Sequence, residues 1–372
     1  MTTITADDAR ALRMAALLIE RRPPGLDVRR TALDVVSHLG AMQAQDNASG
    51  LWSLGLRLEG ATQAQVTAAL EEREVLRTWP MRGTVHLVPA RDVRWMLDLT
   101  GRKALAGAAR RRAVLGLDDD VSERAVEVVR EQLSGGRRLT RAALLAAMTE
   151  DGLPVTGSLG YHLLWYASQR GVSAIAPDVD GQQTFVLLDD WVPDPVRLDP
   201  DEALALLATR YFRSHGPTTR QDFQGWTGLT GTESKKALAL AGDALATAEL
   251  DGAVVHLDPV LLDARPELAH DHEVHALPGF DEYLLGYKDR SLFLDPDQFD
   301  AVVPGGNGMF RSTLVRDGRV LATWTRSTKG KRGVVTVTPL VRLTKADRAT
   351  AETALRPWAD HVGCPLDVRW ET

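Results

Sequence analysis

The sequence predicts an α+β protein with three tandem winged-helix units followed by a small C-terminal β-barrel. Two observations carry this reading. A plan of helices followed by a hairpin recurs three times before residue 264. Beyond Arg265 the texture changes to short strands separated by Gly-rich turns.

The first unit, residues 1–100, opens with a helix that ends before Pro23-Pro24, because proline lacks the N–H a helix needs. Thr31 reads as the N-cap of Ala32–Leu39, whose apolar residues recur at helical spacing. A third helix is expected from Thr62 to Glu72, then a hairpin over Leu76–Val88 that turns at Gly83. The second unit, 101–200, has helical stretches at Ser122–Leu133, Thr140–Glu150 and Ser158–Arg170. Strands follow at Val172–Ala176 and Thr184–Leu188 around Asp180-Gly181, and the Asp- and Pro-rich run Asp189–Pro200 reads as a linker. The third unit, 201–264, repeats the plan with helices at Asp201–His215, Thr219–Trp226 and Thr232–Ala241 and a turn at Asp251-Gly252. In the last segment, 265–372, turn signals stand at Tyr283–Gly286, Pro304–Gly308, Asp317-Gly318, Lys329-Gly330 and Arg332-Gly333. The Asp317-Gly318 pair, between Thr313–Val315 and Val320–Trp324, is the strongest hairpin signal in the chain. A helix near Lys345–Arg356 and a strand near Leu366–Trp370 complete the expected barrel.

Composition narrows the class without naming it. The 372 residues, 44% hydrophobic and 25% charged, suggest two to four modules with ordinary cores. A net charge of −6 gives no global sign of a nucleic-acid partner, so such a surface has to be a local basic patch. Residues 311–345 supply one, with nine Arg and Lys against the single acid Asp317, and Arg110-Arg111-Arg112 supply another. The lone Cys364 excludes an internal disulfide framework or a Cys-based zinc site. The acidic start and the lack of a long apolar run argue against a signal peptide or membrane span, so a cytosolic protein is expected.

Certain runs stand out in order. They are Leu39-Gly-Ala-Met-Gln-Ala-Gln-Asp46 with Leu51-Trp52-Ser-Leu54, Trp79-Pro-Met-Arg-Gly-Thr-Val-His-Leu-Val88, and Leu164-Trp-Tyr-Ala-Ser-Gln-Arg-Gly171. His215-Gly-Pro-Thr-Thr-Arg-Gln-Asp222 with Trp226, Pro278-Gly-Phe-Asp-Glu-Tyr-Leu-Leu-Gly286, and Asp317-Gly-Arg-Val320 with Trp324 complete the set. Together they resemble the winged-helix DNA glycosylases of the AlkZ/YcaQ type over nearly the whole chain. The resemblance implies a C-shaped clamp around double-stranded DNA and hydrolysis of bulky N7-alkylguanine adducts, in some members interstrand crosslinks. The YcaQ-like branch carries Asp where this chain has Gln45. The AlkZ-like Gln-x-Gln branch is similar to self-resistance proteins of bacteria that make DNA-alkylating natural products, which favours a specialised substrate.

The chemistry fits two neutral amides. An N7-alkylated guanine is already cationic and leaves without protonation, so what remains is to place water at C1′ and to favour a positive sugar. A Gln carbonyl accepts a hydrogen bond from that water, and its dipole favours the developing charge. Residues i and i+2 do not share a helix face, so Gln43 and Gln45 cooperate only if the helix has ended near Gly40 and the segment is extended. The same tripeptide recurs at Gln63-Ala64-Gln65, inside an expected surface helix where the amides diverge. Asp46 is a further candidate as base or cation stabiliser, with a turn or helix cap its first-ranked role.

For DNA contacts the candidates are Arg82 beside Gly83, His86 in the same hairpin, the loop residues Asn307, Met309 and Arg311, and the basic hairpin Lys329, Lys331 and Arg332. A satisfied strand histidine stands beside the DNA role for His86, and an ordinary barrel turn beside that of the 304–311 loop. His270, His272 and His275 suggest a metal, but strand alternation sends His275 to the opposite side, and no metal or cofactor is assigned. The partner expected is duplex DNA with N7-alkylguanine lesions, bound by a monomer. No lysine stands at a Schiff-base position, so a monofunctional enzyme is expected. The competing readings are a non-catalytic DNA-binding protein, a regulator or adduct-sequestering factor, and a small-molecule enzyme on a reused fold.

Overall fold

A computed structural model describes residues 1–20, 31–268, 270, 272–329 and 332–371, without the side chains of residues 328 and 329. The expected break at Pro23-Pro24, the turn residue Gly330, Lys331 and the side chain of Lys329 lie outside the described residues. The chain divides into two compact units. One comprises Met1–Val66, Ala205–Trp226 and Thr230–Thr372, and the other Thr67–Leu204 with Thr227–Leu229.

In the first unit the opening helix is Ala6–Ala16, started by a capping box between Thr5 and Asp8. Its Leu12 and Ala15 pack on a small sheet in which Thr2–Thr3 runs parallel to Ala246–Leu250, and that strand pairs antiparallel with Ala253–Leu257. Thr31 caps Ala32–Leu39 as expected, again with a reciprocal Thr31–Asp34 box. A helix that the sequence reading did not contain follows, Asn47–Leu56, before Gln63–Glu71. Its Asn47, Ser49, Gly50, Ser53 and Gly55 have weak intrinsic helix preference. Tertiary packing offsets that weakness, since Trp52 is buried and donates Nε1–H to the Ala276 carbonyl at 2.9 Å.

The C-terminal segment is not a barrel. Five strands lie in the order Val274–Leu277, Ser312–Arg316, Arg319–Lys329, Arg332–Pro339 and Leu366–Trp370, with the first and last at opposite edges. The last strand arrives after the helices Lys345–Ala354 and Arg356–Val362, and that crossover sets it parallel to Arg332–Pro339 instead of closing the ring. Trp324, Trp358 and Trp52 fill the core on one face of this open sheet. The turn signal at Tyr283–Gly286 is a one-turn helix, Glu282–Leu285.

The second unit places five strands in the order Thr84–Pro89, Val75–Met81, Ser173–Val179, Gln182–Leu187 and Arg138–Thr140. Both of its hairpins thus share one sheet, joined where Arg77 pairs with Ile175. Helices Asp119–Leu133, Arg141–Glu150 and Leu159–Gln169 belong to the same unit.

Across the two units, four hairpins use the same two-residue turn, with positive φ at both central residues. The pairs are Arg82-Gly83, Asp180-Gly181, Asp251-Gly252 and Asp317-Gly318. Such turns match strand twist and favour Asp or Asn followed by Gly. Three of the four have Asp in the first place, and Arg82 is the exception.

Three histidines carry a stability consequence. His361 docks its helix onto Asn47–Leu56: its ring lies 5.2 Å from Trp52, and Nδ1 is 2.8 Å from the Ala61 carbonyl. Burial holds His361 and His256 below the usual imidazole value of 6.5. Burial does the same to His162, followed by the nearby Arg112 and Arg111. Protonation therefore favours the unfolded chain, and the stability these rings contribute is complete above pH 6.5 and is lost as pH falls below it. Melting temperature is expected to fall on acidification below that value, and His361→Gln to remove part of the fall.

Candidate active site

The helix Ala32–Leu39 ends at Gly40, whose φ of +79° admits the turn that carries the chain away from the helix axis. Met42–Gln43 is then extended, and the next helix starts at Asn47. The tripeptide Gln43-Ala44-Gln45 thus lies between two helices, in the non-helical segment that cooperation of the amides requires. Gln43 is 7% exposed, whereas Gln45 is exposed. Between them Ala44 is buried against Gly50, where an added Cβ would stand 2.7 Å from the Ala44 Cβ. Gly50 is what lets the following helix fold back onto the motif.

The second copy of the tripeptide differs. Gln65 accepts hydrogen bonds from the Thr62 backbone N–H at 2.8 Å and from the Thr62 hydroxyl at 3.0 Å, and so caps the helix Gln63–Glu71. Asp46 is the N-cap of Asn47–Leu56, accepting from the Ser49 N–H at 3.0 Å, and it is ion-paired with Arg326. Its first-ranked role as a cap agrees with this geometry.

Two acidic neighbours, absent from the sequence-based candidates, hold the segment from behind. Glu282 is 1% exposed. Its Oε1 accepts the Gln43 backbone N–H at 2.8 Å, its Oε2 accepts the Trp226 indole N–H at 2.9 Å, and His215 Nε2 stands 3.4 Å from Oε2. His215 in turn is stacked on Tyr211 at 4.5 Å, and its carbonyl accepts the Tyr287 hydroxyl at 2.8 Å. Asp281 accepts a bidentate pair from Arg57, at 2.9 and 3.0 Å, and the Ser53 hydroxyl at 2.7 Å. Arg57 also donates to the carbonyls of Leu17 and Ser53. The only signal for these residues in the sequence was the run Pro278–Gly286, singled out without a role.

The DNA-contact candidates separate into exposed and buried. Arg82 is exposed at its hairpin tip with φ +53°, beside a cavity of about 490 Å³ that Lys103, Tyr161, His162 and Trp165 also line. His86 is fully buried, with Nδ1 2.9 Å from the Thr84 carbonyl, and in this conformation its ring is a strand histidine and presents nothing to a phosphate. Asn307 is exposed and its Oδ1 accepts the Met309 N–H at 2.8 Å, which shapes the loop tip. Met309 is 56% exposed, and Arg311 and Arg332 are exposed. The histidine run departs from strand alternation. His270 and His275 both lie near Glu20, at 3.4 and 3.9 Å, while His272, at φ +59°, turns to Asp317 at 3.0 Å. Among the described residues no group of three His, Cys, Asp or Glu could hold a metal, and no helix is long and apolar enough to cross a membrane.

A family model described as DNA glycosylase AlkZ-like matches residues 36–361. An interstrand DNA cross-link repair glycosylase of Streptomyces sahachiroi is 28% identical over 320 residues, covering 79% of this chain and 82% of that protein. The solved structure of Streptomyces sahachiroi DNA glycosylase AlkZ aligns over 100% of both chains with a TM-score of 0.82 at 23% identity, a likeness of fold.

Breaking the Arg57–Asp281 pair tests the scaffold. Both side chains are at most 1% exposed, so Arg57→Met leaves a buried carboxylate without its cation. A loss of about 3–5 kcal/mol of stability is expected, read by denaturant titration.

Proposed function

The chain belongs to the AlkZ-like family of DNA glycosylases, and we propose that it hydrolyses the N-glycosidic bond of bulky N7-alkylguanine in duplex DNA. Its relative's name extends the proposal to interstrand crosslinks, and the Gln-x-Gln motif adds self-resistance to a DNA-alkylating natural product as the proposed biological setting. The observation that carries the reading is the non-helical Gln43-Ala44-Gln45 segment between two helices, whose first backbone N–H is fixed by a buried carboxylate.

In the proposed reaction the carbonyl oxygens of Gln43 and Gln45 accept hydrogen bonds from one water and direct its lone pair to C1′. The C1′–N9 bond breaks with its electron pair going to the cationic base, which leaves neutral. Water adds at C1′ and loses a proton to solvent, giving an abasic site. No strong base is needed, because the sugar is oxocarbenium-like before water adds. Holding the water contributes through orientation, worth up to roughly 7–11 kcal/mol in ideal intramolecular cases. The enzyme is proposed to be monofunctional, cytosolic and monomeric. The segments 1–100, 101–200 and 201–264 would act as winged helices on the backbone.

Among the DNA contacts, Arg82 has the best physical support. A long side chain at a left-handed position is disfavoured where Asp serves in the three sister turns. Strain of this kind persists where function maintains it. Lys103 and Arg82 beside Trp165 combine phosphate-binding charge with an aromatic face. Asn307, Met309, Arg311, Lys329, Lys331 and Arg332 remain proposed groove contacts, whereas burial removes His86 from the set.

Two measurements check this. With a duplex bearing one N7-alkylguanine, wild type is expected to release the base, and Gln43→Ala/Gln45→Ala to release none at unchanged DNA affinity. Tight binding without release by wild type would instead indicate a sequestering protein. Separately, Arg82→Asn is expected to raise stability by up to about 1 kcal/mol through relief of the turn. The same change should weaken duplex binding and flatten its salt dependence by about one phosphate contact.

A further inference from the structure

We infer that Glu282 is a positioning residue for base release, acting through the Gln43 peptide group, with Asp281 fixing the other end of the same segment. This rests on the reading that Gln43 and Gln45 orient the hydrolytic water. It adds two residues that never touch the substrate.

The geometry is specific on both sides of the tripeptide. Upstream, Glu282 Oε1 takes the Gln43 N–H at 2.8 Å. Downstream, the helix Asn47–Leu56 is gripped through Ser53 Oγ and Arg57, both bonded to Asp281. The two acids are adjacent in sequence, so one short stretch sets the distance between the start of the Gln segment and the helix that follows it. That stretch is itself rigid. Phe280 before it has φ +62°, Asp281 caps the one-turn helix Glu282–Leu285, and Tyr283 donates its hydroxyl to the Gly318 carbonyl at 2.6 Å.

A carboxylate is a costly choice for this duty. Burying one is unfavourable unless its oxygens are bonded, and a main-chain carbonyl would satisfy a peptide N–H without that cost. What a carboxylate adds is a shorter, stronger bond to the N–H. A second oxygen then anchors the first group to something rigid. Here the anchor is the Trp226 indole, with His215 held against Tyr211 and Trp226, at centroid distances of 4.5 and 5.4 Å. Gly286 is required for this approach, since a Cβ there would meet His215 Cδ2 at 2.4 Å. The Gln43 peptide is thereby tied to an aromatic wall, and its plane sets the direction from which the Gln43 side chain departs.

The experiment uses Glu282→Gln in the full chain, with Gln43→Ala alongside. The amide keeps the shape but replaces one acceptor oxygen with a donor, so the Gln43 or the Trp226 N–H faces another N–H. Single-turnover base release is expected to fall by on the order of 10²-fold, the scale of a small misplacement of catalytic groups, while duplex affinity stays unchanged. In glutamine-selective ¹⁵N spectra the Gln43 amide proton, assigned by its loss in Gln43→Ala, should move upfield from its carboxylate-bonded position. Release by Glu282→Gln at the wild-type rate, with Gln43→Ala inactive, overturns the inference and leaves the glycosylase reading intact. Parallel loss of affinity and release, or an unmoved Gln43 amide, also overturns it and makes Glu282 part of the general scaffold. If wild type releases no base, the underlying reading fails and the inference falls with it. The amide shift, which requires no activity, then still reports whether Glu282 holds Gln43. If Glu282→Gln does not fold, Trp226→Phe decides the matter by removing only the lateral anchor. A loss of about tenfold in release at unchanged affinity supports the inference, and full activity overturns it.

Discussion

The hydrogen bond from the Gln43 backbone to Glu282 joins residues 239 positions apart, and much of the first unit is arranged to make it possible. Gly40 turns the chain out of its helix, Gly50 admits Ala44, and Gly286 admits His215 behind the carboxylate. A buried carboxylate must be fully bonded to be tolerated. Its surroundings are therefore overdetermined, with an indole N–H, a peptide N–H and an imidazole converging on two oxygens. Loss of any one partner would leave charge unsatisfied in a dry interior.

The adjacent Asp281 obeys the same constraint by a different route. Its partners are a guanidinium and a hydroxyl from one helix, and Arg57 extends the network to the Leu17 carbonyl near the start of the chain. Both networks lie within one compact unit, as does the open five-stranded sheet that supplies the Ala276 carbonyl to Trp52. The helix after the Gln pair is consequently held by three partners: by Asp281 through Ser53, and by the sheet and the ring of His361 through Trp52. A segment with weak helix propensity becomes rigid through what surrounds it.

Local features were legible in the sequence and long-range ones were not. Thr31 as an N-cap, Asp317-Gly318 as a hairpin turn and the helix end at Gly40 all follow from interactions within a few residues, and all three are present. The helix Asn47–Leu56 escaped because its stability comes from Trp52 burial rather than from propensity. The barrel expectation failed because nothing in Leu366–Trp370 states which edge it joins; two intervening helices decide it. Glu282 and Asp281 were visible only as part of a motif. A carboxylate's partner across more than two hundred residues is not encoded in spacing. The histidine run misled for the opposite reason, since alternation was assumed where His272 adopts positive φ.

Neutral amides and a buried acid make sense together under the proposed chemistry. A carboxylate in direct contact with the reacting sugar would stabilise the cation, yet it could also capture C1′ covalently and would repel the neighbouring phosphates. Amides orient water without either consequence. Placing the negative charge one peptide group behind Gln43 keeps its mechanical benefit, a strong bond to the N–H, and retains a weaker electrostatic one, since a fixed negative group in a low-dielectric setting still favours positive charge developing in front of it. Under that proposal the division is physical: the groups that would meet water are uncharged and adaptable, and the groups that hold them are charged, buried and fixed.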